Sequence, residues 1–362
     1  MPHARFIAPW KDSTVKPVIY HCLSRVVERR FAFGPEEKEK LRTMLRMYEH
    51  FSGCRVLAYC FMCNHIHVLL EVPAMRAGGL SDEELLRRLR HLYDEVYVTE
   101  VAKRLREYRT GGNAVAVKTL HESFTYRMHS LSEFMKGFMQ RFTQWFNRSQ
   151  KRSGGLWEDV FKSVLVEDGI ASKTMAAYID LNPVRAGMVK DPAAYRWSSY
   201  GEAMGGGPKG DGKQAQAGLV RALLAHQGGA ADARHWAGKV ARGYRSLLLE
   251  EGVEKLEEAV SAGGEVEVRV VRKGMKVSAL DAEVGRMGRG REEALGRMLR
   301  CRVRYFTDGA VLGSRGFVDE VFRLSRDRFG AQRKSGARRL HGSGAAAAGL
   351  LWSVRDLQKG IR

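Results

Sequence analysis

Two histidines separated by a single residue, His65 and His67, are the side chains in this sequence best placed to do chemistry together. They belong to the stretch from Tyr59 to Val72, in which polar and apolar residues alternate from His65 onward. Successive side chains of a β-strand point to opposite faces, so both imidazoles project from one face. Imidazole is a good ligand for several divalent metal ions. The spacing therefore predicts a metal-binding pair on one face of a sheet.

Two cysteines just before the histidines, Cys60 and Cys63, raise the alternative of a zinc site. Two thiolates and two imidazoles form a common tetrahedral ligand set. The spacing argues against zinc, because a structural zinc ion normally joins two separated ligand pairs and the sequence lacks a second pair. We expect Cys60 and Cys63 to pack around the turn that precedes His65.

A tyrosine far downstream, Tyr178, is the candidate nucleophile that would act beside the histidines. Ser172 is expected to cap a helix from Lys173 to about Leu181. Proline at 183 limits the end of this helix, because proline disfavours helical geometry in the residue before it. Asn182 follows Tyr178 by four residues, which places the two side chains on one helix face, one turn apart.

The elements that must position these residues follow an order of strand, helix, strand, strand, helices, strand and helix. Hydrophobic periodicity and capping residues place these elements at about 15–25, 35–52, 55–60, 65–72, 81–92, 96–108, 132–149, 161–166 and 173–181. The aromatic residues of 132–149 recur at helical spacing and are expected in the core. The alternation in 161–166 leaves open which of its faces is buried.

Charge and cysteine content restrict the partners and the compartment. The chain has 61 Lys plus Arg against 41 Asp plus Glu, a net charge of +20 that favours nucleic acid as partner. The alternative is a basic protein whose charge only aids solubility. Five cysteines are too few for a disulfide framework, and neither a signal peptide nor a membrane-spanning stretch is visible. We expect a cytoplasmic protein that does not enter a membrane.

A glycine-rich segment at 204–214 predicts a linker between two units. Residues 1–203 would form the first domain, with a helical insertion at about 76–130. Residues 215–362 would form a mainly helical, basic C-terminal domain with a partly ordered tail. Clustered arginines between 286 and 304 suit a DNA-binding module of the helix-turn-helix kind. Alternatively, these arginines only solvate helix surfaces.

Three sequence blocks together resemble the HUH-type single-tyrosine transposases, especially the REP-associated tyrosine transposases. The blocks are Tyr59-Cys60-Phe61-Met62-Cys63-Asn64-His65-Ile66-His67, then Tyr178-Ile179-Asp180-Leu181-Asn182-Pro183-Val184-Arg185-Ala186-Gly187, then Trp197-Ser198-Ser199-Tyr200. The resemblance covers about residues 15–200. Cys63 stands where the family commonly has proline, and the region at 76–130 is longer than the family pattern.

The resemblance implies an α+β fold with a ferredoxin-like or RRM-like antiparallel sheet. It implies that His65, His67 and Asn182 hold a divalent metal ion, Mg or Mn, and that Tyr178 cleaves single-stranded DNA, forming a 5'-phosphotyrosine linkage. Hairpin or REP-like DNA would be the substrate of a nucleoid-associated enzyme, which we expect to be a monomer rather than a homodimer. The alternatives are a non-catalytic nucleic-acid-binding regulator and a replication-initiator or relaxase-type HUH endonuclease.

Overall fold

The structure is a computed structural model of the whole chain. It describes residues 6–75, 78–205, 212–224, 233–236, 238–251, 255–260, 266–272, 304–340 and 351–355.

Four antiparallel strands form the part of the sheet that carries the histidines. They are β1 (Val18–Arg25), β2 (Arg55–Phe61), β3 (His65–Val72) and β4 (Lys162–Val166). Their spatial order is β2-β3-β1-β4, with β1 between β3 and β4. This is the order of a ferredoxin-like sheet, as predicted. The short Met62–Asn64 connection pairs β2 and β3 as neighbours, because a hairpin needs only a few residues.

Two helices, α1 (Pro35–Ser52) and α5 (Leu131–Ser149), cover one face of this sheet. Proline at the first position of α1 and Gly53, in the left-handed region at its end, set the limits of that helix. The aromatic face of α5 is buried against the sheet, which confirms that it belongs to the core. On β4, Leu165 joins this core, whereas Val164 and Val166 join the core on the opposite face. Both faces of β4 are therefore buried.

Three helices between β3 and α5 make up the predicted helical insertion. They are α2 (Asp82–Leu89), α3 (Glu95–Thr110) and α4 (Ala114–Thr125). They share a small hydrophobic core of their own. The sequence reasoning did not place α4, although Asn113 caps it by accepting a hydrogen bond from the Ala116 amide.

The helix that carries the candidate tyrosine lies on the opposite face of the sheet from α1 and α5. This helix, α6, spans Ile170–Asp180 and begins after Gly169, so the predicted start at Lys173 was wrong. Ser172 is not the cap. Its hydroxyl lies inside the helix and donates to the carbonyl oxygens of Gly169 and Ala222. A short helix, α7 (Asn182–Arg185), follows directly.

The chain then continues through α8 (Ser199–Gly205), α9 (Lys213–Leu223), α10 (Lys239–Glu251) and a two-stranded sheet of β5 (Lys255–Val260) and β6 (Val266–Arg272). Helix α9 packs closely on β2, where Gly218 faces the main chain of Val56. No helix in the described ranges is both long enough and apolar enough to span a bilayer.

The last described segments return to the first sheet. They are α11 (Arg304–Thr307), β7 (Val311–Gly313), α12 (Arg315–Leu324), β8 (Arg338–Arg339) and β9 (Trp352–Val354). Strand β7 pairs in parallel with β4, and the described strands other than β5 and β6 form one sheet in the order β2-β3-β1-β4-β7-β9-β8.

Within the residues that the structure describes, the C-terminal part contributes short strands to the first sheet as well as helices. The edge of β4 offers unpaired main-chain groups, and the short apolar strand at 311–313 satisfies them. The division at 204–214 itself stays a prediction, and residues 206–211 lie outside the described ranges. So do the clustered arginines at 286–302, on which the helix-turn-helix interpretation depended.

Candidate active site

The two histidines of β3 lie on the sheet face that α6 covers. Their ring centroids are 5.0 Å apart, and the rings are nearly perpendicular, at 83°. His67 is buried, with only 2% of its surface exposed, whereas His65 is partly open to solvent at the strand's beginning. The strand alternation read from the sequence therefore places both imidazoles as expected.

Tyr178 reaches this face from α6 and meets the inner histidine. Its ring lies edge-on to that of His67, with centroids 5.8 Å apart. The ring of Phe306 stacks on that of Tyr178, with centroids 4.6 Å apart and planes at 14°. The guanidinium carbon of Arg185 lies 4.8 Å from the centroid of the tyrosine ring. The fold thus brings residues from β3, α6, α7 and α11 to one point.

The phenol of Tyr178 is protonated at neutral pH in this setting. Burial raises the pKa of Tyr178 to about 12, although the positive charges of Arg185 and Arg25 act in the opposite direction. Only 2% of the residue is exposed. Any reaction at the phenol oxygen therefore needs a way to remove its proton.

Asn182 does not continue the tyrosine helix, because α6 ends at Asp180 and Asn182 opens α7. Its side-chain nitrogen donates to the main-chain oxygens of Tyr178 (3.0 Å) and Ile179 (3.1 Å). These are carbonyls that the end of a helix leaves without an intrahelical partner. The amide nitrogen is thereby committed to the helix end, and the amide oxygen remains as the atom that could bind a metal ion.

The imidazoles of β3 have the protonation state that metal ligation needs. Burial lowers the pKa of His65 to about 4, and burial together with the neighbouring His65 and His21 lowers the pKa of His67 well below its ordinary value. Both rings are therefore neutral at pH 7, the form in which imidazole binds metals.

The hydrogen bonds of the two rings leave a nitrogen on each for a metal ion. His65 Nδ1 lies 2.7 Å from the side-chain oxygen of Asn64, and His67 Nδ1 lies 2.9 Å from His21 Nε2. Ligating histidines commonly bond through their second nitrogen in this way. Among the described residues, His, Cys, Asp and Glu side chains form no group of three or more arranged for a metal ion. Two neutral imidazoles are chemically suited to a divalent ion, and Asn182 stays the predicted third ligand.

Residues 14–77, which contain β1, α1, β2 and β3, match the family model described as "Transposase IS200 like". Over this range the chain is similar to the IS200-like transposases. The match agrees, over these residues, with the predicted resemblance to single-tyrosine transposases. It includes both histidines and ends before Tyr178 and Asn182.

A search of solved structures matches one described as "Structure of the REP associates tyrosine transposase bound to a REP hairpin". The two chains are 13% identical, with a TM-score of 0.34, and the match covers 66% of this chain and 93% of that one. A search of curated proteins finds no match.

Cys60 and Cys63 pack around the turn before His65. Cys60 is fully buried, with its sulfur 3.6 Å from that of Met62. Cys63 is half-buried and accepts a hydrogen bond from Lys38 Nζ at 3.4 Å. The predicted packing role is confirmed.

Three residues at the site escaped the sequence reasoning. His21 stands on β1, where alternation with Ile19 and Leu23 was a local signal that it shares the face of α6. Arg185 lies within the block that resembles the family's tyrosine helix and its exit. Phe306 had no local signal, because its place depends on how β7 pairs with β4.

Proposed function

We propose that this protein is a transposase that cleaves single-stranded DNA and transfers the strand through a covalent 5'-phosphotyrosine linkage on Tyr178. The observation that supports this proposal is the edge-on contact between Tyr178 and His67, with ring centroids 5.8 Å apart. The two residues come from separate elements, and a phenol beside an imidazole pair is suited to phosphoryl transfer.

In this reaction the phenol oxygen of Tyr178 attacks the phosphorus of a phosphodiester. A new oxygen–phosphorus bond forms, the bond from phosphorus to the 3'-oxygen breaks, and the phenol proton ends on the released 3'-hydroxyl. One phosphate ester replaces another, so the step is reversible and needs no nucleotide cofactor. Attack by the 3'-hydroxyl of another strand on the phosphotyrosine completes strand transfer.

The protein's own charges assist the loss of the phenol proton. Arg185 and Arg25 lower the pKa of Tyr178 against the effect of burial, and Arg185 lies directly over the ring. Both would stabilise the phenolate as it forms. His65 and His67, with the amide oxygen of Asn182, would hold Mg or Mn. When bound, that ion would act as a Lewis acid on the scissile phosphate.

Access to the phenol requires a local rearrangement. Tyr178 is 2% exposed, and Phe306 stacks on its ring. A phosphate can reach the phenol oxygen only after some of these surroundings shift, and Phe306 on the short helix α11 is one residue that could do so. This burial favours one alternative function, a non-catalytic nucleic-acid-binding regulator that keeps the fold.

The substrate in this proposal is hairpin or REP-like DNA, bound by a monomer in the cytoplasm, close to the nucleoid. The net charge of +20 supports a polyanionic partner, because Lys and Arg side chains that neutralise phosphates release bound counterions. Binding should accordingly weaken as salt increases.

The test is covalent capture of a hairpin oligonucleotide labelled at its 3' end, with Mn²⁺ or Mg²⁺ supplied. Tyrosine becomes joined to the 5'-phosphate of the downstream fragment, so the label should stay with the protein on a denaturing gel. Tyr178→Phe should abolish the labelled band, because it removes the attacking oxygen and keeps every ring contact.

The matched control is Tyr195→Phe, which removes another buried hydroxyl, one that donates to the Phe61 carbonyl at 2.7 Å. This variant should keep the adduct. An equal yield of adduct from Tyr178→Phe would refute the proposal. DNA binding by the wild type with no adduct on any hairpin would favour the regulator.

A further inference from the structure

His21 links the C-terminal segment to the inner histidine of the candidate site. It is 1% exposed and lies on β1, next to β3. Its Nδ1 lies 2.7 Å from the main-chain oxygen of Phe306, and its Nε2 lies 2.9 Å from His67 Nδ1. The His21 and His67 rings are stacked, with centroids 5.1 Å apart and planes within 10°.

The direction of this hydrogen-bonded chain follows from its first member. A carbonyl oxygen can only accept, so His21 Nδ1 carries the proton and donates to Phe306. A neutral imidazole has a single N–H, so His21 Nε2 must accept, and the donor to it is His67 Nδ1. His67 Nε2 is then left with a free lone pair.

Both rings must be neutral for this order to hold, and their surroundings require it. His21 and His67 are buried against each other, with 1% and 2% of their surfaces exposed and their rings stacked. A second proton on either ring would place a positive charge inside this buried pair, which is costly.

We infer that His21 is a positioning residue that holds His67 in the tautomer able to bind a metal ion through Nε2. The inference rests on the proposed function, because it assigns His67 a ligand role. It also gives the C-terminal segment a role at the site. The main-chain carbonyl of Phe306, 285 residues from His21, sets the direction of the hydrogen bonds from His67 through His21. Asn64 serves His65 in the same manner, because its side-chain oxygen can only accept from His65 Nδ1.

Three variants separate this role from simple packing. His21→Leu fills the site but leaves His67 Nδ1–H without an acceptor. His21→Gln can restore the chain, because its oxygen accepts and its nitrogen donates. Phe306→Leu removes the ring stacked on Tyr178 and keeps the main-chain carbonyl, which makes it the matched control.

The first measurement is the tautomer of His67 in metal-free protein, read from long-range proton–nitrogen NMR correlations and assigned with a His67→Gln variant. The Nδ1–H tautomer is expected in the wild type, His21→Gln and Phe306→Leu. In His21→Leu the Nε2–H tautomer should appear. The second measurement is Mn²⁺ affinity by calorimetry, which should fall about 10- to 100-fold in His21→Leu and recover largely in His21→Gln.

An Nε2–H tautomer of His67 in the wild type would overturn the inference. A His21→Leu protein with an unchanged His67 tautomer and an unchanged Mn²⁺ affinity would also overturn the inference. The proposed transesterification on Tyr178 would still stand in that case. Conversely, an unaffected adduct in Tyr178→Phe would remove the proposed reaction and leave the tautomer result in place. If His21→Leu does not fold, the tautomer in the wild type and in His21→Gln decides the question.

Discussion

Replacing Glu202 by glutamine is expected to lower the free energy of unfolding by about 3 kcal/mol at pH 7. The Glu202 side chain lies on α8 and is 7% exposed. It accepts hydrogen bonds from Arg46 (2.7 Å), Arg42 (3.2 Å) and the hydroxyl of Tyr59 (2.7 Å). These partners belong to α1 and β2, so Glu202 attaches the segment after the tyrosine helix to the sheet.

The magnitude follows from what the substitution leaves behind. Removing one member of a buried ion pair costs about 3–5 kcal/mol, because the remaining charge stays buried without compensation. Arg46 keeps a second carboxylate, Glu49, at 2.7 Å, and glutamine can still accept from Tyr59. The loss should therefore lie at the lower end of that range.

The effect should depend on pH in a defined direction. Burial acts to raise the pKa of Glu202, but Arg46, Tyr59 and Arg42 outweigh it and hold that pKa below the ordinary 4.5. A carboxyl whose pKa is lowered by folding stabilises the protein above its unfolded pKa and loses that contribution as pH falls through the folded pKa. The difference in the free energy of unfolding between wild type and Glu202→Gln should thus be largest at neutral pH and should decrease below pH 4.5.

The measurement is urea unfolding followed by tryptophan fluorescence at several pH values. A double-mutant cycle with Arg46→Gln should give a coupling energy of about 1–3 kcal/mol. The control is Glu133→Gln, which breaks an ion pair with the largely exposed Lys136 and should cost under about 0.5 kcal/mol. A loss below about 1 kcal/mol for Glu202→Gln, or a gap that does not narrow in acid, would refute the reasoning.

Two further predictions concern the metal ligands and the close approach of α9 to the sheet. Asn64→Ala removes the acceptor of His65 Nδ1 and should weaken Mn²⁺ binding about tenfold with an unchanged circular dichroism spectrum; equal affinity in calorimetry would contradict it. Gly218→Ala places a Cβ 2.2 Å from the Val56 main-chain oxygen and should cost about 2 kcal/mol or more in urea unfolding. Gly316→Ala, with nothing within 4 Å, should be neutral or stabilising by up to about 1 kcal/mol, and a similar loss in both glycine variants would argue against the steric reason.

Several features were accessible from local sequence alone. Strand alternation placed His65 and His67 on one face, because side-chain direction in a strand has a period of two residues. Helical periodicity predicted the buried aromatic face of α5. The ferredoxin-like order of β1 to β4 was implied by the family resemblance of the three motif blocks, and the predicted order of elements agreed with it.

Local signals were weaker at helix ends. Ser172 has the residue type of a cap, yet α6 begins after Gly169 and uses the Ser172 hydroxyl to contact α9 at Ala222. The tertiary contact overrides the local preference here, because a buried hydroxyl must find acceptors wherever the packing provides them. Helix α4 was missed because its β-branched residues weaken its helical signal.

The sequence by itself determined which chemical groups the site contains: two imidazoles on a strand and a tyrosine on a later helix. Only the tertiary structure decided what surrounds them. The contact of Phe306 with His21 and Tyr178 depends on β7 pairing with β4, and no local period reports a contact between residues 285 apart. The C-terminal segment therefore lies against the candidate active site. The physical reason is that the unpaired edge of β4 can be completed by any segment of the chain that satisfies its main-chain hydrogen bonds.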